Sequence, residues 1–167
     1  MLNRYFLLLV LLSASVLNAQ IIDHDIMNLM DEIDRNKIMR GENMITKYAG
    51  SPYLSADFKK GTIELIDGKI FKDIPLRYNI FKDNFEVANK GEAFGLEKNK
   101  RFIEFNMDDR IFRYESYQMS AKKTLNGYLE RLTEGEFTLY CKYNVSFSEA
   151  KKAAAYKEAV PATFKRL

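Results

Sequence analysis

Short apolar runs separated by turn residues fill the chain from Gly50 onward, and they constrain the fold more than any other feature of the sequence. The runs are rich in β-branched and aromatic residues, and Gly, Asp, Asn and Lys recur between them at intervals typical of an all-β domain. The connections are shorter than a parallel crossover requires, so consecutive strands should pair antiparallel. The sequence predicts a mainly β fold, an antiparallel meander that forms a curved sheet, a sandwich or a partly open barrel.

Turn residues divide this region into eight or nine predicted strands. Asp67-Gly68 suits a tight hairpin because glycine accepts a positive φ without a steric penalty. Pro75 has no backbone N–H, so the strand that starts at Lys69 is expected to be an edge strand, bulged or interrupted at that point. The other predicted strands are Thr62–Ile66, Leu76–Phe81, Asn84–Ala88, Ala93–Leu96, Arg101–Asn106, Ile111–Tyr117, Gly127–Leu132 and Phe137–Phe147. Predicted turns lie at Lys82-Asp83, Asn89–Gly91, Met107–Arg110 and Glu134-Gly135.

Alternation assigns faces in two of these strands. Leu76, Tyr78 and Ile80 are expected on one face, and Arg77 and Asn79 on the other. In Phe137–Phe147 every second residue from Phe137 is apolar, which places the only cysteine, Cys141, on the buried face. A single cysteine forms no intramolecular disulfide, so Cys141 is expected to be a buried structural residue.

The first twenty residues have the layout of a secretory signal peptide. Arg4 gives a positive start, Tyr5–Leu12 is an apolar run, and small, mildly polar residues follow up to Ala19. The apolar run is too short to span a bilayer, which takes about 20 residues. Cleavage after Ala19 would start the mature chain at Gln20. We therefore expect an exported protein, periplasmic, outer-membrane-associated or extracellular, with no transmembrane segment after cleavage.

Helices are predicted at both ends of the mature chain. Asp23–Gly41 carries apolar residues at helical spacing, acidic residues at its start and basic residues near its end. Glu149–Glu158 is alanine-rich, follows Ser148 as an N-cap and ends before Pro161. The predicted organisation is a signal peptide at residues 1–19, an N-terminal amphipathic helical segment at 20–49, the antiparallel β domain at 50–147, and a short C-terminal helix and tail at 148–167.

The charge balance argues against nucleic acid as a partner. The chain has 26 basic and 23 acidic side chains, and removal of residues 1–19 takes away only Arg4. Phosphate binding normally needs a concentrated basic patch, whereas short clusters such as Lys98–Arg101 are typical of solvated turns. No nucleic-acid partner is expected.

Residues for catalysis or metal binding form no recognisable motif. The only histidine, His24, lies at a predicted helix start with no ligand cluster to complete a metal site. Asp67, Asp108 and Asp109 lack the repeated spacing of a calcium loop and are assigned to turns. No glycine-rich phosphate loop or dinucleotide fingerprint is present in the sequence. The sequence therefore predicts no catalytic, cofactor-binding or metal-binding residue, and no cofactor.

Two sets of side chains leave alternatives open. A carboxylate pair for glycoside hydrolysis could be drawn from Glu104, Glu115, Glu130, Glu134 and Glu136. Tyrosine platforms for a sugar could be drawn from Tyr78, Tyr114, Tyr117, Tyr128 and Tyr140, although tryptophan is absent. A sheet can bring distant strands together, so spacing alone selects no pair from either set.

A series of short segments resembles a known group of proteins. The segments are Gly50-Ser51-Pro52-Tyr53-Leu54, Phe58, Gly61-Thr62, Asp67-Gly68, Asp73–Asn79, the hairpin at Glu134-Gly135 and the tail Phe147–Phe164. Over about Gly50–Leu167 this pattern resembles small exported proteins of Bacteroidota-type bacteria, a group without an assigned activity. The resemblance implies a Gram-negative envelope destination and transfers no functional residue. It also implies that related chains often continue past the position of Leu167 with a tyrosine-rich strand.

These features favour an exported, non-catalytic binding or envelope-structure protein whose partner is an envelope protein or an apolar ligand. An enzyme is not expected. One alternative is a carrier that encloses a small apolar ligand or lipid within a curved, Phe- and Tyr-lined sheet, and a closed apolar cavity would favour it. Another is a hydrolase that uses two of the five glutamates, which a carboxylate pair about 5 to 10 Å apart in a cleft would favour.

Overall fold

Two β-sheets make up most of the structure, a computed structural model that describes residues 26–30, 39–40, 48–96, 98, 101–121, 123–153 and 158–167. The strands of the larger sheet are β1 (Met39–Arg40), β3 (Lys59–Leu65), β4 (Ile70–Asn79), β5 (Asn84–Asn89), β6 (Glu92–Gly95), β7 (Phe102–Met107), β8 (Arg110–Ser120), β9 (Lys123–Arg131) and β10 (Tyr140–Cys141). They pair antiparallel in the order β1-β6-β5-β4-β3-β7-β8-β9-β10. The predicted mainly β, antiparallel fold is confirmed.

A second sheet of three strands lies beside the first. Its strands are β2 (Tyr48–Ala49), β11 (Val145–Ser148) and β12 (Ala162–Arg166), in the order β11-β12-β2. The β12–β2 pair is parallel, which departs from a pure meander. Phe164 contacts Phe81 and Phe147 at ring-centroid distances of 5.3 and 4.7 Å, and these ring contacts join the small sheet to the β4–β5 turn.

Tight turns occur where turn chemistry predicts them. Asp108 and Asp109 link β7 to β8 with φ of 53° and 60°, the left-handed conformation that a two-residue hairpin loop requires. Lys90 and Gly91 do the same between β5 and β6, with φ of 49° and 83°. The aspartates at these turns therefore serve backbone geometry, as expected from the sequence.

The expectation of an edge strand at Pro75 is wrong, because β4 lies between β3 and β5 and Pro75 pairs with Lys60. The pairing of β4 is nevertheless irregular near the proline. On the β3 side, Thr62 lies opposite both Lys72 and Asp73, a bulge in which Asp73 adopts a φ of 55°. On the β5 side, the register begins at Leu76, so Pro75 lies just beyond that ladder. The strand bulges near the proline without being interrupted.

Both faces of β4 are largely shielded from solvent in its C-terminal part, from Leu76 onward. Leu76, Tyr78 and Ile80 are buried on the core side, as predicted. On the other face, Arg77 donates hydrogen bonds to the buried Glu86 carboxylate, and its guanidinium carbon lies 3.7 Å from the Tyr53 ring centroid. The Asn79 side-chain amide donates a further hydrogen bond of 3.0 Å to the other Glu86 oxygen, Oε1. Arg77 therefore links the Tyr53 segment to the sheet. Its pairing with Glu86 is needed because an unpaired charge in this buried position would be costly.

The large sheet curls around an interior of aromatic rings. Phe85 on β5 stacks on Phe105 of β7 at 4.1 Å and meets Tyr128 of β9 edge-on at 5.1 Å. Four strands separate β5 from β9 in the sheet order, so these rings can meet only if the sheet bends strongly. The buried core also includes residues of the helical segment 26–30, namely Ile26, Leu29 and Met30.

The predicted strand Phe137–Phe147 is wrong as a single element. It is divided into β10 and β11, which belong to different sheets. Phe137 and Leu139 are exposed, and Cys141 is half-buried rather than fully buried. The chain leaves the large sheet after Cys141 because the next two side chains, Lys142 and Tyr143, bind partners elsewhere in the fold.

The predicted helices need correction where the structure describes them. Residues 26–30 are helical, but Met39–Arg40 pair with the edge of β6, so the expected helix Asp23–Gly41 ends earlier. Residues 149–153 and 158 are not helical, and Ser148 ends β11 instead of capping a helix. Lys151 and Val160 exchange backbone hydrogen bonds of 2.8 and 2.9 Å, so an antiparallel bridge stands at Lys151 in place of the predicted helix. Residues 1–25, 31–38, 41–47 and 154–157 lie outside the described residues.

Truncation of the central ring tests the curled core. Phe85 is fully buried, whereas Phe137 is 83% exposed. Phe85→Ala should lower the free energy of unfolding by about 3 to 5 kcal/mol, through lost burial and the cavity left behind. The matched substitution Phe137→Ala should change it by less than about 0.5 kcal/mol. Urea unfolding followed by circular dichroism measures both; equal effects would contradict the ring-filled interior.

Candidate functional site

Curvature of the sheet brings the β4–β5 turn against β9. Asp83, at the end of this turn, has a φ of 53° and points its carboxylate at three donors. The Tyr78 hydroxyl and the Lys142 ammonium each donate to Oδ1 at 2.5 Å, and the Tyr128 backbone N–H donates at 3.3 Å. We call the group Tyr78, Asp83, Gly127, Tyr128 and Lys142 the Asp83–Lys142 junction.

Gly127 leaves the space that the junction occupies. A Cβ at this position would lie 2.5 Å from Asp83 Oδ2 and 2.9 Å from Lys142 Nζ. Both distances are shorter than ordinary carbon contacts, so a side chain here would push the ion pair apart. Lys142 also donates to the Tyr128 carbonyl at 3.2 Å, which ties the segment after β10 to β9. The junction therefore joins three parts of the chain that are distant in sequence.

An open cleft of about 400 Å³ lies beside the junction. It is lined by Glu115, Ser116, Tyr117, Leu129, Tyr140 and Lys142. Cross-strand register explains most of this lining, because directly paired residues point to the same face of a sheet. Glu115 pairs with Gly127, and Tyr140 pairs with Arg131, so both lie on the face opposite the Tyr114–Tyr128 pair that packs on the core.

The charges around the cleft are unevenly compensated. Lys142 is held by Asp83, and Lys98 approaches the other Asp83 oxygen at 3.9 Å without lining the cleft. Within the described part of the chain, Glu115 makes no ion pair or hydrogen bond through its side chain. Burial, with the Asp83 charge as a second cause, raises the pKa of Tyr117. Among its described residues, the cleft thus offers a carboxylate without a partner and two phenol rings.

A second polar cluster lies where β8, β9 and the segment after β10 meet. The Tyr143 hydroxyl donates to the buried carboxylate of Glu130, and Arg110 donates to the Tyr143 oxygen at 3.3 Å. Burial and the hydrogen bond to Glu130 raise the pKa of Tyr143 to about 12. Burial, followed by the charge of Asp83, also raises the pKa of Tyr78 and of Tyr128. These phenols stay neutral at physiological pH.

Two of the five glutamates of the sequence analysis meet at one arginine. Glu104 contacts Arg131 at 3.6 Å and Glu134 contacts the same guanidinium at 3.4 Å, whereas Glu130 contacts Arg110 at 3.8 Å. Glu136 is exposed in the β9–β10 loop, and Glu115 is the one glutamate among the described residues that line the cleft. The described lining of the cleft therefore holds no pair of these carboxylates, which glycoside hydrolysis would need.

The five tyrosines divide between core and cleft. Tyr78 and Tyr128 are buried core residues, and Tyr114 packs against that core. Tyr117 and Tyr140 line the cleft. Asp83 and Lys142 were not among the sequence candidates. Asp83 was assigned to a turn, and Lys142 to the polar face of a predicted strand. Asp83 and Lys142 are 59 positions apart in the sequence, so no local pattern indicates that they meet. The sequence indicates only the turn in which Asp83 lies.

Other chemistry is limited in the described residues. No group of three or more His, Cys, Asp or Glu there is placed to hold a metal ion. His24, with its neighbours Asp23 and Asp25, lies outside the described residues. Nor does the described part of the chain contain a helix long and apolar enough to cross a membrane.

No family model, curated protein or solved structure matches this chain. Residue roles therefore rest on the geometry of the site.

Neutralising Asp83 tests the junction. Asp83→Asn keeps the acceptor oxygen and tolerates the positive φ, but it leaves the Lys142 charge uncompensated, with the two side chains only 18% and 16% exposed. The free energy of unfolding should fall by about 2 kcal/mol. Asp73→Asn is the matched control, since Asp73 has a φ of 55° and an exposed pair with Lys60. It should cost less than about 0.5 kcal/mol in chemical denaturation; equal losses would contradict a structural role for the junction.

The raised tyrosine pKa values predict instability in alkali. A phenol whose pKa is higher in the folded than in the unfolded state contributes stability that is complete below about pH 10. That stability is lost as the pH rises through the folded values, about 12 for Tyr143. Phenolate absorbance and circular dichroism should therefore change together above about pH 10. Tyr143→Phe should weaken the pH dependence; full tyrosine ionisation with native circular dichroism would show the assignment to be wrong.

Proposed function

We propose that this chain is an exported, non-catalytic binding protein of the cell envelope, and that the cleft beside the Asp83–Lys142 junction is its ligand-binding surface. The supporting observation is the cleft itself. Its volume of about 400 Å³ lies within the usual range for small-ligand sites, and its lining combines two phenol rings with the unpaired Glu115 carboxylate. The core and the junction hold these side chains on strands, so the binding surface is preorganised.

The surroundings of the cleft support binding rather than chemistry. Lys142 is engaged by Asp83, and the raised pKa of Tyr117 disfavours a phenolate nucleophile. A covalent mechanism needs a nucleophile beside an activating base, and the cleft lining provides no such pair. We therefore assign the cleft to recognition.

The two alternative functions have less support. A carrier needs space inside the curved sheet, but the interior is occupied by rings in contact, such as Phe85 with Phe105 and Tyr128. A two-carboxylate hydrolase needs two acids in one cleft, whereas Glu115 is the one glutamate among the described residues that line this cleft. We place ligand contact outside the core, at the cleft.

Export is supported by the first nineteen residues and by the resemblance to exported Bacteroidota-type proteins. Periplasm, outer membrane and cell surface are all compatible with it. Expressed with its own N-terminus in a Gram-negative host, the protein should be recovered from the envelope fraction with Gln20 as its first residue by intact mass. Recovery in the cytoplasm with residues 1–19 retained would contradict export.

A panel of neutral, anionic and cationic small molecules, titrated into the mature protein, tests the cleft. Amide chemical-shift changes should cluster at Glu115–Tyr117 and Tyr140–Lys142 for at least one class of compound. Tyr117→Ala should weaken that binding, whereas Met119→Ala, an exposed position further along β8, should not. If no compound shifts the cleft resonances, the proposed function fails.

A further inference from the structure

We infer that the cleft recognises an alkylammonium group, through Glu115 and the rings of Tyr117 and Tyr140. This inference rests on the proposed function and adds the chemical class of the ligand. Glu115 is half-buried and directly opposite Gly127, where the space of the missing side chain is filled by the Asp83–Lys142 ion pair. Lys142 is bound to Asp83, and Glu115 makes no ion pair among the described residues, so its carboxylate is available to a ligand in the cleft.

The pairing of Lys142 with Asp83 also favours a cationic ligand. Among the described residues that line the cleft, Lys142 is the only cation, and its ammonium lies 2.5 Å from an Asp83 oxygen. An anionic ligand would meet the Glu115 carboxylate without a free cation to offset it, which is unfavourable at short range. A purely apolar ligand would remove Glu115 from water without a hydrogen bond, a costly exchange. A cation supplies both the charge and the donors.

The junction itself shows how this environment binds an ammonium. Lys142 Nζ is surrounded by a carboxylate oxygen, the Tyr78 hydroxyl at 3.5 Å and the Tyr128 carbonyl at 3.2 Å, and it lies 5.9 Å from the Tyr117 ring centroid. Glu115 and Tyr140 add a second carboxylate and a second phenol ring beside the Tyr117 ring that Lys142 already approaches. The face of a tyrosine ring attracts cations, and the attraction grows as water is excluded.

The size of the cleft limits the ligand. At about 400 Å³ it lies near the lower end of small-ligand sites, which suits one alkylammonium chain. Two sources share this chemistry, a free amine and a lysine side chain of a peptide. n-Butylammonium represents the first and N-acetyl-lysine methylamide the second. Butyrate and n-butanol have similar chains and serve as anionic and neutral controls.

Titrations of the mature protein, followed by amide chemical shifts, test the inference. Both ammonium probes should shift cleft resonances, and binding should weaken as salt is added. Glu115→Gln keeps the shape of the side chain but removes its charge, so the dissociation constant should rise about tenfold or more. Glu136→Gln makes the same change at an exposed loop position and should leave it unaltered. Unchanged circular dichroism establishes that both variants are folded.

The possible results separate the inference from the proposed function. Equal binding by wild type and Glu115→Gln, or binding of butyrate at least as tight as that of n-butylammonium, would overturn the ammonium assignment while cleft binding stands. If none of the four probes shifts cleft resonances, the ammonium assignment also falls, and the wider panel decides the proposed function. Tighter binding of N-acetyl-lysine methylamide than of n-butylammonium would identify a peptide lysine as the ligand, and the reverse order a free amine.

Discussion

The contact between Asp83 and Lys142 is the interaction on which the arrangement of this protein depends. It joins the β4–β5 turn to the segment that follows β10, and through Tyr128 it reaches β9. A nine-stranded sheet without such a contact could uncurl and expose the rings of Phe85 and Tyr128 to water. The pair is largely shielded from solvent, so its attraction is screened less than that of a surface pair.

The junction also explains why core and cleft lie on opposite sides of the same strands. Tyr128 and its cross-strand partner Tyr114 face the interior, whereas Glu115 and Leu129 lie on the face that lines the cleft. Because the core fixes the strand backbones, the cleft side chains are held in place without a ligand. Beside the cleft, the Lys142 ammonium is engaged by the Asp83 carboxylate, whereas the Glu115 carboxylate has no partner among the described residues.

Features set by neighbouring residues could be predicted from the sequence, and features set by distant residues could not. Asp108 and Asp109 form their turn because both tolerate a positive φ, and Pro75, which lacks an N–H, lies just beyond the β4–β5 ladder. The run Phe137–Phe147 has strand periodicity, yet it divides after Cys141. The cause of this division is tertiary, because Lys142 and Tyr143 bind residues outside the run, which the strand periodicity does not indicate.

The candidate site follows the same rule. Glu115, Tyr117 and Tyr140 were candidates on residue type alone, each within a set of five from which sequence could not choose. Register made the choice, by placing these three side chains in one cleft. Lys151 illustrates the opposite case, because it lies in a predicted helix but forms a bridge with Val160.

A double-mutant cycle between Asp83 and Lys142 tests the central claim most directly. The free energy of unfolding is measured for wild type, Asp83→Asn, Lys142→Gln and the double variant. If the pair holds the curled sheet closed, the coupling energy should be about 1 kcal/mol or more. A coupling energy below about 0.3 kcal/mol, the range of independent sites, would contradict this account of the fold.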